Sequence, residues 1–229
     1  MYDVALTASH FPAQCDEPVL ETTIGGILRA QAAYARDAPA LVEAGLAGLT
    51  DRCWTYGELL ASAERLARAL LSRFKPGERI CVWAPNAPEW VILEYAAALA
   101  GLTLVTANPA YQERELRFVL DQSQSAALFL VKEHRGNPMA SIGAAAARLP
   151  CVRAVIDLED HEVLFAGCDE IRALPVVSPR DPAQIQYTSG TTGLPKGVLL
   201  HHHGLTNNAR LYSVRAGLEQ GITALNFMP

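Results

Sequence analysis

Between residues 75 and 157 the chain repeats one pattern: a short apolar run, a longer stretch with helical spacing, then another apolar run. Arg79 to Ala84 (RICVWA) lies between Gly77 and Pro85 and has the length and flanks of a buried strand. Asn86 offers a helix N-cap with Glu89 three residues on. The spacing of Trp90, Ile92, Leu93 and Leu99 predicts a helix that stops at Gly101. Leu102 to Thr106 reads as the next strand, and Gln112 to Gln122 as a helix with Leu116, Val119 and Leu120 inside. Ala126 to Val131 is a third strand, Pro138 to Arg148 an alanine-rich helix, and Val152 to Asp157 a fourth strand. Strands separated by helices of this length pair in parallel through right-handed crossovers. The expected fold is therefore α/β: an open, mainly parallel sheet flanked by helices on both faces.

Upstream, Thr55-Tyr-Gly-Glu58 has the S/T-x-x-E form of a capping box, and Leu59, Ala63, Leu66 and Leu70 follow at helical spacing. Glu58, Glu64, Arg65 and Arg68 are left to face water. Pro175 to Pro182 holds three prolines in eight residues, which forbids a continuous helix and marks a linker. Beyond it, Ala183 to Tyr187 and Val198 to Leu200 read as strands, and Ile222 to Pro229 as a further buried strand. Residues 183–229 are expected to add strands and a helix to the same globule. Half of the chain is apolar and 19% is charged, a balance that suits a packed core and excludes disorder. A net charge of -5 gives nucleic acid no basic face to bind. Five cysteines with no C-x-x-C spacing read as reduced thiols. Met1 to His10 lacks the basic and apolar regions of a signal peptide. The longest apolar stretch, Trp90 to Ala107, is interrupted by Glu94 and Gly101 and is not read as a membrane span. A cytosolic protein is expected, with peripheral membrane contact left open.

Chemistry concentrates in Tyr187-Thr-Ser-Gly-Thr-Thr-Gly-Leu-Pro-Lys-Gly197, between two strands. Gly190, Gly193 and Gly197 permit positive φ and close approach of backbone amides to a ligand. Thr188, Ser189, Thr191 and Thr192 supply hydroxyls, and Lys196 a mobile positive charge. Convergent amides, hydroxyls and one ammonium make an anion cradle suited to a triphosphate. The pattern is neither a Walker A loop nor G-x-G-x-x-G. On composition alone, a surface turn of small polar residues is the commoner meaning of such a cluster. Sixteen arginines against three lysines (Lys75, Lys132, Lys196) tilt the balance, because a lysine placed here suggests that a compact point charge is needed.

This segment resembles the phosphate-binding signature of the adenylate-forming superfamily, which includes acyl-CoA synthetases, luciferases and peptide-synthetase adenylation domains. The resemblance extends over WTYGELLASAERLARAL (54–70), over 77–123, and over KGVLLHHHGLTNNAR (196–210), while 132–180 matches only in outline. It implies that residues 1–229 form an incomplete N-terminal part of the family's large domain, with a β-α-β core at 75–157, a phosphate-loop region at 183–229 and no C-terminal domain. It also implies ATP-dependent activation of a carboxylic acid, most similar to that of a medium- or long-chain fatty acid, followed by transfer to coenzyme A. Thr188, Ser189, Gly190, Thr191, Thr192, Gly193 and Lys196 would bind the phosphates, with Lys196 and Thr192 the catalytic pair. Mg²⁺ would accompany ATP, held with help from a glutamate in a Y-G-x-T-E motif that this sequence lacks. Alternatives are an aryl-CoA or cyclic-acid ligase, or a non-catalytic module that binds nucleotide or acyl groups.

Other features carry blander readings. His201-His202-His203 on a strand would alternate faces, so a packing or helix-entry role is expected and no metal site. Trp83, Trp90 and Tyr95 should pack as core. Asp157 to Asp160 reads as a solvated turn, and Asn108 to Tyr111 as a turn leading into a helix.

Overall fold

The computed structural model describes residues 17–44, 52–169, 173–188 and 195–226. In chain order the elements are α1 (Ile24–Tyr34), β1 (Pro39–Val42), β2 (Cys53–Thr55), α2 (Tyr56–Leu71), β3 (Arg79–Trp83), α3 (Pro88–Ala100), β4 (Thr103–Thr106) and α4 (Glu113–Ser123). They continue as β5 (Ala127–Leu130), α5 (Met139–Ala146), β6 (Ala154–Asp157), α6 (His161–Leu164), β7 (Pro182–Thr188), β8 (Lys196–His201) and α7 (His202–Arg215). The main sheet has six strands in the order β6-β5-β3-β4-β7-β8. All its pairs are parallel except β7 with β8, which run antiparallel at one edge. β1 and β2 form a separate antiparallel ribbon.

The connection from β3 runs to β4 on one side, and the next runs back across β3 to β5. With right-handed crossovers this reversal places α3 on one face and α4 and α5 on the other. The observed packing agrees: α1, α2 and α3 lie against one another, and α4 against α5. The strands between them are buried on both sides, which is why RICVW and ALFL read as continuous apolar runs. Trp83 is fully buried and donates its indole N–H to the Asn108 carbonyl at 3.0 Å; Trp90 and Tyr95 pack partly buried against the same core.

Local signals shape the helices. The expected capping box forms at α2: Thr55 Oγ1 accepts from the Glu58 amide, and the Glu58 carboxylate accepts from the Thr55 amide at 2.9 Å. Leu59, Ala63, Leu66 and Leu70 all point into the core. α3 ends at Gly101 with φ 68°, a left-handed cap that glycine adopts without strain. Its start differs from expectation. Ala87 is the N-cap and Pro88 opens the helix, because proline fixes φ near the helical value and lacks the N–H that a cap would have to satisfy. Asn86 instead donates to the Asn226 carbonyl, and Glu89 is drawn inward as described below.

Over residues 222–226 the expected strand does not form: they are irregular and exposed, and 227–229 lie outside the described residues. The proline-rich linker is irregular over 173–178 and ends in β7, whose first residue is Pro182. The segment from Glu17 straps across α7. Asn207 accepts from the Leu20 amide and donates to the Leu20 carbonyl, both at 2.8 Å, and Arg210 pairs with Glu17. This strap has no periodic signal in the sequence.

Candidate functional site

β7 is parallel to β4, and through it to β3 and β5, so Thr188 stands at the carboxyl edge of the sheet beside the ends of those strands. Open α/β sheets bind ligands outside that edge. The chain leaves the edge after Thr188 and returns as β8 at Lys196, which lies directly opposite Thr188 in the antiparallel register. The two ends of the segment are joined weakly, Thr188 Oγ1 donating to the Lys196 carbonyl at 3.5 Å. Ser189, Gly190, Thr191, Thr192 and Gly193 lie outside the described residues. The structure therefore brings Thr188 and Lys196 together at that edge.

Lys196 is exposed, and among the described residues no carboxylate pairs with its ammonium. A cation at a strand end, unneutralised and facing solvent, can meet an arriving anion without first breaking an ion pair. Gly197 serves a purpose other than the expected positive φ. It is ordinary strand, and a Cβ there would stand 3.1 Å from the Tyr187 ring and 3.0 Å from Ile185. The glycine thus lets the tyrosine ring lie flat across the hairpin. Tyr187 Oη donates to Gln122 Oε1 at 2.9 Å, tying the hairpin to α4, and burial pushes the phenol up to about 12.

The histidine run turns β8 into α7. His201 is the N-cap, its Nδ1 accepting from the Gly204 amide at 2.9 Å. His202 is fully buried and accepts from the Ile24 amide at 3.4 Å; burial lowers its pKa, so it packs as neutral imidazole. His203 meets Glu21 of the strap at 3.2 Å. Packing and helix entry account for all three. Among the described residues no trio of His, Cys, Asp or Glu could hold a metal. Asp157 pairs with Lys132 at 3.2 Å and Asp160 caps α6, so the acidic turn is structural.

Two polar clusters were not anticipated. Glu89, nearly buried, is gripped by Arg52, which immediately precedes β2, and by His161 from α6 at 3.0 Å. Burial pushes its carboxyl up, but Arg52, its own amide and His161 outweigh that and hold it below the usual range. The second cluster is Glu94 with Gln184 and Gln186. A lone acid within the apolar run of α3, and two glutamines spaced by two on a strand, were the available signals.

The sequence profile of the family described as AMP-binding enzyme matches residues 28–229. The chain is 34% identical over 195 residues to the mitochondrial medium-chain acyl-CoA ligase ACSF2 of Bos taurus, covering 72% of this chain and 32% of that protein. It is 32% identical over 231 residues to the acyl-CoA ligase SID4 of Ajellomyces capsulatus, covering 92% and 38%. Among solved structures, a Mycobacterium tuberculosis fatty acyl CoA synthetase superposes with TM-score 0.66 at 30% identity, over 79% of this chain and 34% of that one. The inhibitor-bound N-terminal domain of FACL13 from Mycobacterium tuberculosis gives TM-score 0.66 at 31% identity, over 80% and 45%. The chain spans about a third of the length of the curated relatives it matches.

Proposed function

The chain belongs to the AMP-binding enzyme family, and from that premise we propose that it forms the nucleotide-phosphate part of an ATP-dependent, AMP-forming acyl-CoA ligase. The observation that carries this reading is the placement of Thr188 opposite Lys196 at the carboxyl edge of a parallel sheet, at the two ends of the signature segment. In the first half-reaction a substrate carboxylate attacks the α-phosphorus of ATP, and the bond to the β-phosphate breaks to release pyrophosphate. Both reactants are anions, so the site must offset their repulsion and the charge of the leaving group. Thr188, Ser189, Gly190, Thr191, Thr192 and Gly193 supply donors to the phosphates, and Lys196 neutralises the departing pyrophosphate, with Thr192 its partner in catalysis. In the second half-reaction the thiol of coenzyme A attacks the acyl carbon and AMP leaves. Among the described residues no group of three His, Cys, Asp or Glu side chains could hold a metal ion, so Mg²⁺ would be held mainly through the ATP phosphates.

The similarity to proteins named medium-chain acyl-CoA ligases supports a medium-chain fatty acid as substrate. The setting we propose is cytosolic, supported by the four described cysteines, all unbridged. Among the described residues no helix is long and apolar enough to cross a membrane. These 229 residues alone are expected to form no thioester. The test is ATP–pyrophosphate exchange by the natural full-length protein with saturated acids of graded length. Exchange should peak at medium chains, and Lys196→Ala should slow it by roughly a hundredfold while changing the acid KM much less. Unchanged exchange in that variant would remove Lys196 from the mechanism. A non-catalytic binding module would bind ATP yet exchange no pyrophosphate with any acid.

A further inference from the structure

Strand β7 carries Gln184 and Gln186 on one face, and the period of two places Thr188 there as well. Gln184 is 3% exposed, and a primary amide at that depth must find partners for both its ends. Its Nε2 donates to the carboxyl of Glu94 on α3, and its Oε1 accepts from Gln186 Nε2 at 2.9 Å. Tyr187, on the opposite face, is held by α4. A line of hydrogen bonds thus runs from a largely buried acid, through two amides, to an exposed glutamine two residues before Thr188.

An amide has a donor end and an acceptor end, so such a line has a direction. Ionised Glu94 can only accept. Gln184 must then turn its NH₂ to the carboxylate and its oxygen to Gln186, which leaves the Gln186 oxygen facing outward. Protonated Glu94 can donate. Gln184 is then free to turn its oxygen to the acid and its NH₂ to Gln186, which in turn presents its own NH₂ outward. Burial pushes the Glu94 carboxyl up to about 7, against the opposing bond from Gln184. The neighbouring titratable group is Tyr95, next along α3 and itself pushed up to about 12 by burial, and Tyr95 in turn feels Tyr56 at the start of α2. No Lys, Arg or His among the described residues pairs with Glu94.

We propose that Glu94, Gln184 and Gln186 form a positioning relay, in which the charge state of Glu94 sets whether Gln186 offers an acceptor or a donor beside Thr188. The protonated state favours an anion there and the ionised state disfavours one. The ligand side of this inference rests on the reading of 188–197 as a triphosphate site. The hydrogen-bond side stands on the geometry alone.

The experiment is a pH titration of the ¹⁵N-labelled chain that follows the glutamine side-chain NH₂ resonances by NMR. The signals of Gln184 and Gln186 should move together with a midpoint near 7. Both should stay still in Glu94→Gln. In Gln184→Met, which keeps the length and removes the amide, Gln186 should no longer follow the titration. Gln186 titrating in either variant, or not at all in the unaltered chain, would overturn the relay. In parallel, sodium tripolyphosphate should bind roughly threefold tighter at about pH 6 than at about pH 8, beyond the ratio seen in Gln184→Met, as one exposed hydrogen bond would give. A chain whose glutamines titrate as described but which takes up no tripolyphosphate at either pH would sink the phosphate-site reading and support the relay.

Discussion

At Gly197 two opposing effects decide what a single methyl group would do. Alanine in place of a strand glycine gains roughly 0.5–1 kcal/mol from the less flexible unfolded chain. Overpacking costs roughly 1–3 kcal/mol. The added Cβ would meet the Tyr187 ring at 3.1 Å, and that ring cannot swing away freely because its hydroxyl is bonded to Gln122. Gly197→Ala should therefore lower stability by about 1 kcal/mol in urea unfolding, and Gly197→Ala combined with Tyr187→Leu should recover it. Glu94 makes a prediction of opposite sign. Its folded pKa is raised from 4.5 to about 7, so its ionised form is the disfavoured one, and stability is lost as pH rises through that interval. At about 1.4 kcal/mol per pH unit the loss above pH 7 reaches roughly 3 kcal/mol. Glu94→Gln should thus stabilise the chain at alkaline pH, and the gain should vanish below 4.5. A gain that persists in acid would show that the effect is packing and not charge. Of these residues only Gly197 was legible beforehand, and for the wrong reason: its glycine-rich neighbours suggested positive φ, whereas a ring from the paired strand requires the missing Cβ.

Helix α2 shows how far a local signal reaches. Thr55 and Glu58 are three residues apart, the capping box needs nothing from the rest of the fold, and it forms as read. Thr55→Ala should cost about 1 kcal/mol in chemical denaturation. The Glu58 carboxyl is held low first by the Thr55 amide, which alanine keeps, and next by the Thr55 hydroxyl, which it removes; the hydroxyl's share is present above 4.5 and lost as pH falls below that value, where the penalty of the mutation should shrink. An unchanged denaturation midpoint would mean that α2 is held by its core face alone. The helix α3 was misread at its start for a related reason. Asn86 is a good cap in isolation, but Pro88 sets where the helix begins, and Glu89 is taken up by Arg52 and His161, which lie 37 and 72 residues away in the chain.

For the molecule as a whole, β8 is an exposed edge. Among the described residues no strand pairs with its outer hydrogen-bonding row, Leu199 is 61% exposed, and α7 beside it leaves Tyr212 67% exposed. Unprotected edges of this kind template association. The purified chain should therefore self-associate, and Leu199→Lys should reduce light scattering at equal concentration without lowering the thermal midpoint. Scattering that is unchanged would place the association elsewhere. The parallel pairing of β3 to β6, the helices between them and the position of the glycine-hydroxyl-lysine segment between two strands were all contained in the sequence, because strand length, helical period and a local residue pattern are short-range properties. What only the tertiary structure decided were the relations between distant segments: the antiparallel turn of β8 that sets Lys196 across from Thr188, the strap of Glu17 to Thr23 on α7, the ring of Tyr187 over Gly197, and the line from Glu94 to Gln186. Each depends on which faces meet once the sheet closes, and a period of two or of 3.6 says which residues share a face but not what that face will find opposite.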